Sequence, residues 1–241
     1  QADIRASNIP SDAFGSVFNV SITDRNKKTS NTLKKVRLPM LGTHNVLNAL
    51  AAISIAHEMG IDHKIICSAL NEFSGVKRRF TRTGTIDGIV VIDDYGHHPV
   101  EISAVLESAR GAYKGKIVAV VQPHRFSRLK NLFEDFCACF NDADIVVVSD
   151  VYAAGETPEL GVNRDSLIEG LRARGHKNVI GLDQPTKLAE LINPFLKPGD
   201  IVVCLGAGSI TQWANALPNA LAKLRNSDDI NTEQALVGHS E

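Results

Sequence analysis

Asp93-Asp94-Tyr95-Gly96-His97-His98-Pro99 sets two carboxylates, a phenol and two imidazoles directly after the apolar run Ile89-Val90-Val91-Ile92. The apolar run reads as a buried strand, and Pro99 as the first residue of a helix. The cluster therefore falls at the carboxyl end of a strand, the edge at which open α/β sheets bind ligands. A carboxylate pair there can hold a ribose or a metal ion, and an imidazole can orient a charged substrate. A polar turn that only starts a helix would use the same residue types.

Other segments bring further groups. In Gly42-Thr43-His44-Asn45-Val46-Leu47-Asn48, Thr43 or Asn45 can cap a helix. Asn45 and Asn48 lie three apart, so both can project from one side of the first turn and pair with an adenine edge. Gly75-Val76-Lys77-Arg78-Arg79-Phe80 can clamp phosphate oxygens through its arginines or serve as a solvated basic linker. Gln122-Pro123-His124-Arg125-Phe126-Ser127-Arg128 places two arginines at a helix start, where positive charge is unfavourable. A carboxylate ligand would account for them; so would a pair of surface arginines. Ser149 to Glu156 follows the next strand, and Gly206-Ala207-Gly208 follows the last one and reads as a tight strand–helix turn.

The elements that must position these groups can be read in outline. Short strands and turns are expected over residues 1–41, with a strand from Ala13 to Val20, a turn from Asp24 to Lys28 and a strand at Val36 stopped by Pro39. Helices are expected over 45–59, with Gly60 at the C-cap, and over 62–73. From about residue 82 the chain alternates. Strands are expected at 89–92, 117–121, 145–148, 179–182 and 201–205, and helices at 125–141, 165–174 and 186–192. That order predicts a doubly wound α/β domain with a mostly parallel sheet. The boundary falls near Gly75, giving units 1–74 and 75–225 and a frayed tail over 226–241.

Composition narrows the class. The 241 residues are 44% hydrophobic and 22% charged, with 26 basic and 27 acidic side chains and a net charge of −1. This balance argues against a general nucleic-acid or membrane-surface binder. Cys67, Cys137, Cys139 and Cys204 form no CxxC pair and read as reduced core residues of a cytoplasmic protein. No run approaches the ~18 apolar residues of a membrane span. The chain opens Gln1-Ala2-Asp3 without Met, as a piece of a longer protein would.

Taken together, Gly42 to Ala52, Gly75 to Arg79, and Asp94-Tyr95-Gly96-His97 with Pro99 resemble the Mur ligases of peptidoglycan synthesis, in that order. Gln122 to Arg128 and Asp150 to Glu156 resemble the branch that adds the first amino acid, L-alanine, to UDP-N-acetylmuramate, and Gly206-Ala207-Gly208 agrees. The resemblance covers roughly residues 36–222. It implies ATP-driven amide formation: the muramyl carboxylate attacks the γ-phosphate, and the amine of L-alanine displaces phosphate from the acyl phosphate. It places Asn45, Asn48 and His44 at adenine, Arg79 at ATP phosphate, Asp94 at ATP and Tyr95 near the adenosine. It places His97, Arg125 and Arg128 at L-alanine. For the fold, it implies a Rossmann-like domain preceded by the C-terminal part of a P-loop-type α/β ATPase domain.

One departure is large. No Gly-Lys-Thr or Gly-Lys-Ser occurs. The phosphate loop, the Mg²⁺ ligands and the UDP-sugar site are therefore expected in a preceding part of the protein, and this piece alone is expected to be inactive. Two alternatives remain: a recycling ligase that attaches a whole tripeptide to the same UDP-sugar, and a non-catalytic nucleotide-binding module. A nicotinamide-dependent oxidoreductase is disfavoured, because the Gly-rich loop does not follow the first strand of a βαβ unit.

Overall fold

The computed structural model describes residues 3–12, 15–24 and 29–237. Four strands come first: β1 (Ile4–Ser7), β2 (Ser11–Asp12), β3 (Gly15–Asp24) and β4 (Thr29–Leu38). They form one antiparallel sheet in which β3 pairs with β1 and β2 along one edge and with β4 along the other. Alternate residues Phe18, Val20 and Ile22 turn inward and meet Val36 and Leu38. Helices α1 (Thr43–Glu58) and α2 (His63–Asn71) cover that face through Val46, Leu50, Ile53 and Ile66. Both strands are longer than the sequence pattern indicates. The expected turn at Asp24–Lys28 lies largely outside the described residues.

Gly42, at φ 94°, is the N-cap of α1, with no side-chain cap. The capping roles open to Thr43 and Asn45 are therefore not used. α1 carries apolar residues nearly all round: Leu47 and Ile55 remain 59% and 64% exposed, as does Met59 at its C-cap at 72%.

The second sheet orders β5 (Thr81–Ile86), β6 (Ile89–Asp94), β10 (Ile201–Leu205), β7 (Ile117–Val121), β8 (Ile145–Ser149) and β9 (Val179–Leu182). Only β5 is antiparallel to its neighbour. The central strands are buried on both faces, which is why they read as unbroken β-branched runs. Val90 and Ile92 pack on one side with α3 (Pro99–Ala112), α5 (Phe133–Ala138) and α6 (Arg164–Ala173). Ile89 and Val91 pack on the other with α7 (Leu188–Ile192) and α8 (Ile210–Val237). This is a three-layer, doubly wound, Rossmann-like architecture.

Three differences from the sequence reading matter, as does one feature on which that reading was silent. Strand β5 was not expected, since Thr81-Arg82-Thr83-Gly84 lacks an apolar run; its hairpin to β6 turns on Asp87-Gly88, both at positive φ. The single helix expected over 125–141 is two, α4 (Phe126–Asn131) and α5, because Leu132 leaves the helical region at φ −119°. The apolar spacing runs straight through that break and so conceals it. Helix α8 continues through 226–237, where the sequence shows no apolar period. Finally β10, last in sequence, is central in space, so the Gly206–Gly208 loop sits between the ends of β6 and β7. Among the described residues no helix is long and apolar enough to cross a membrane.

Candidate functional site

The loops after β6, β10, β7 and β8 meet at one edge of the parallel sheet. Strands β6 and β7, which flank β10, lead to helices on one face while β10 leads to α8 on the other. The chain thus opens a crevice on either side of β10, the position at which such sheets bind ligands.

Asp94 ends β6 and organises the first loop. Its Oδ1 accepts the Gly96 N–H at 2.7 Å and its Oδ2 accepts the Phe80 N–H at 2.7 Å. Burial pushes its carboxyl up to about 6, against the pull of those two N–H groups and of Arg79. At 2% exposure with both oxygens engaged, Asp94 shapes the loop and the junction.

Four rings form a row across three strand ends. Tyr95 and His97 are 5.2 Å apart edge to face, His97 and His124 are 5.7 Å apart, and His124 stacks on Tyr152 at 5.4 Å. Hydrogen bonds fix the imidazole tautomers. His97 Nδ1 lies 2.9 Å from the Tyr95 carbonyl, which only accepts, so Nδ1 carries the proton and neutral His97 keeps its lone pair on Nε2. His124 Nδ1 lies 3.2 Å from Arg128 Nη1, which only donates, so the proton of His124 sits on Nε2. Burial, then the charge of Arg128, lowers the His124 pKa and favours this neutral form.

The two arginines of this loop take different roles. Arg128 folds back, and its Nη1 also donates to the His124 carbonyl at 2.9 Å. Arg125 is the N-cap of α4 at φ 74°, half exposed, with Nη1 3.9 Å from Glu156 Oε1. The Glu156 carboxylate also accepts Ser127 N–H at 2.9 Å and Ser127 Oγ–H at 2.6 Å. These bonds, the Ser127 hydroxyl foremost, hold its pKa below the usual range. In this conformation Glu156 thus sets a carboxylate at the start of α4, beside Arg125.

A cavity of about 810 Å³ lies between α1, α2 and α3, with His44, Asn45, Asn48, Arg79, Val100 and Glu101 among its lining. Burial, then the charge of Arg79, lowers the His44 pKa, leaving a neutral ring at the rim. Asn48 is exposed to this space, whereas Asn45 is 6% exposed and donates Nδ2 to the Leu41 carbonyl at 2.8 Å. Asn45 therefore uses its amide N–H on its own helix start. Of the arginine pair only Arg79 reaches the cavity; Arg78 turns inward and bonds the Gly206 carbonyl.

Glu101 links the two halves of the site. Its Oε2 accepts the N–H groups of His97 and His98 at 3.1 and 3.2 Å, forming a capping box with His98, and its Oε1 lies 4.0 Å from Arg79 Nη1. The structure thus brings His44, Asn45, Asn48 and Arg79 to one cavity and Tyr95, His97, Arg125 and Arg128 to the loops that meet at the ends of β6 and β7. Glu101, His124, Tyr152 and Glu156 had no assigned role in the sequence reading. Three of them lie within strings that the reading singled out, but only their cross-loop contacts reveal a function. Among the described residues no group of three or more His, Cys, Asp or Glu side chains could hold a metal ion.

Comparison with known proteins finds relatives over most of the chain. Residues 78–208 match the family model described as Mur ligase, glutamate ligase domain. Over 224 residues the chain is 60% identical to the UDP-N-acetylmuramate–L-alanine ligase of Gluconobacter oxydans, covering 93% of this chain and 47% of that protein. The crystal structure of the UDP-N-acetylmuramate–alanine ligase of Thermotoga maritima superposes with a TM-score of 0.74 at 27% identity, covering 94% of this chain and 47% of that one. A murein peptide ligase from Psychrobacter arcticus superposes at 0.60 and 25% identity, covering 92% and 45%. The chain spans about half the length of the relatives it matches.

Proposed function

The chain belongs to the Mur ligase family, and from that membership we propose that it forms the nucleotide- and amino-acid-facing half of a ligase joining L-alanine to UDP-N-acetylmuramate at the expense of ATP. The observation that carries the reading is the meeting of His97 and His124 at 5.7 Å, which joins the loops after β6 and β7 across β10. That contact sets an imidazole lone pair and two arginines around one crevice, beside a cavity rimmed by Arg79 and Asn48.

In this reading the cavity takes the adenine, with Asn48 and His44 at its edge, and Arg79 meets the phosphates. The muramyl carboxylate attacks the γ-phosphorus and ADP departs with the electrons of the broken bond. The amine of L-alanine then attacks the acyl carbon and inorganic phosphate leaves. Alanine enters as an ammonium ion and must lose a proton before it attacks. His97 Nε2, left as an acceptor by the Nδ1–Tyr95 bond, can take that proton. Arg125 and Arg128 hold the alanine carboxylate as charge-assisted donors. Alignment and charge neutralisation carry most of such a reaction.

The phosphate loop, the UDP-sugar site and the Mg²⁺ ligands belong, in this reading, to the part of the protein that precedes residue 1. The chain alone carries no Gly-Lys-Thr or Gly-Lys-Ser and is proposed to be inactive by itself. The higher similarity to alanine ligases than to the murein peptide ligase supports L-alanine over a tripeptide. The reading is tested by phosphate release from the full-length protein with UDP-N-acetylmuramate and ATP. Release that requires L-alanine supports it; release only with the tripeptide, or ATP binding without turnover, replaces it with one of the two alternatives.

A further inference from the structure

We propose that Arg78 is a positioning residue: without touching substrate, it braces the Tyr95 ring and sets the direction of Arg79. The inference rests on the reading of Tyr95 and Arg79 as nucleotide contacts.

The junction backbone supplies the first observation. Arg78 has φ 61° and Phe80 has φ 52°, so Arg79 is flanked by two non-glycine residues in the left-handed region. Such conformations persist where surrounding contacts over-determine them. Here the Arg78 carbonyl accepts the Tyr95 N–H at 2.7 Å, and the Phe80 N–H donates to Asp94 at 2.7 Å. Together these bonds send the side chains of adjacent arginines to different places, one inward and one to the cavity.

The guanidinium supplies the second. Its Nη2 donates to the Gly206 carbonyl at 2.5 Å, its Nε lies 3.6 Å from Asp93 Oδ2, and its Cζ lies 4.8 Å from the Tyr95 ring centroid. Asp93 in turn accepts the Thr211 hydroxyl at 2.6 Å, at the start of α8. A single planar cation therefore joins the junction, the ends of β6 and β10, and one face of Tyr95. Lysine, a point charge, cannot stack on the ring and bond the carbonyl in the same way.

The third observation is a deficit. Arg78 Nε and Asp93 Oδ1 are buried without a hydrogen-bond partner among the described residues. Groups left unsatisfied in this way work against stability. An arginine that served only to stabilise the fold would be a poor choice at this position.

The test uses the full-length protein with Arg78→Lys and Arg78→Met, measuring kcat, the KM for ATP and the KM for L-alanine beside thermal melting. The ATP KM is expected to rise about tenfold, the scale of a partly buried cation–π contact, while the alanine KM moves by less than about twofold. Equal rises in both constants, or an unchanged ATP KM, overturn the inference. Should Arg78→Met fail to fold, Arg78→Lys is combined with Tyr95→Leu. If Arg78 acts through Tyr95, the double variant has nearly the ATP KM of Tyr95→Leu alone; fully additive effects contradict this. A wild type without turnover would sink the ligase reading itself. Hydrogen exchange then decides the inference separately: the Arg78 variants must speed exchange at the Phe80 and Tyr95 amides while sparing α3, and unchanged exchange there overturns it.

Discussion

Glu156 accepts both hydrogens that Ser127 can donate, the N–H at 2.9 Å and the Oγ–H at 2.6 Å. The start of α4 is therefore capped from a different loop, 29 residues away in sequence. Backbone bonds from Tyr152 N to Pro123 O and from Arg125 N to Tyr152 O, both 2.8 Å, zip the same two loops together. The arginines of α4 are thus held by the loop after β8. Removing the acceptor should loosen them: Glu156→Ala should speed hydrogen exchange at Ser127, whereas Glu156→Gln, which keeps an acceptor, should preserve much of the protection. Equal protection in Glu156→Ala and wild type would contradict this view of the loop.

Gly208 admits no side chain. A Cβ there would lie 2.5 Å from Gln122 Oε1 and 2.6 Å from Tyr152 Cγ, and Gln122 is itself fixed by Ser209 and by the Ile210 N–H. Gly208→Ala must therefore displace Tyr152 or break the Gln122 bonds, at about 1–3 kcal/mol, the usual scale of overpacking. Denaturant melting should register that loss. Unchanged stability would mean that the loop after β10 yields more easily than this packing implies.

Glu101 closes the capping box of α3 and bridges His97 to the vicinity of Arg79. Glu101→Ala should cost about 1 kcal/mol of stability, as lost helix caps do. It should also free the His97 ring, which paired histidine NMR shifts in the two proteins would report. An unmoved His97 spectrum would assign Glu101 to capping alone.

Asp94 gives a pH signature whose sign is fixed by proton uptake. Its folded pKa is raised to about 6, while an unfolded Asp titrates near ~4. Between those values the folded state binds more protons, so this group's contribution is complete below ~4 and is lost as pH rises through about 6. Stability of wild type minus Asp94→Asn should therefore fall with rising pH across that window. Asp144 and Glu156, whose pKa values are lowered and which are not among the groups shifting Asp94, act in the opposite sense and cancel in the subtraction. A ¹³C titration of Asp94 with its midpoint near the ordinary carboxylate value would contradict the burial argument.

Much of the parallel sheet was legible because strands buried on both faces carry no polar alternation to obscure them. Ile89–Ile92, Ile117–Val121 and Ile201–Leu205 appear in the sequence almost as they appear in space. The order of those strands was not legible, since nothing local tells β10 to insert between β6 and β7. The same limit governs the site. Arg78 and Arg79 are neighbours of one type, and only the left-handed turn around them separates a brace from a cavity-facing cation. Asn45 and Asn48 share a helix side, yet the Leu41 carbonyl captures the amide of Asn45. Glu156 lay inside a recognised string but acquires its role from Ser127, which no spacing rule connects to it.

The central claim is that the loops after β6 and β7, meeting across the end of β10, form the amino-acid subsite and the cavity beside α1 the nucleotide subsite. Steady-state kinetics of Arg125→Ala in the full-length protein tests it most directly. The account predicts a rise of roughly tenfold or more in the KM for L-alanine, the worth of one charge-assisted hydrogen bond, with the KM for ATP nearly unchanged. Equal rises in both constants would place Arg125 on phosphate and contradict the division of the site.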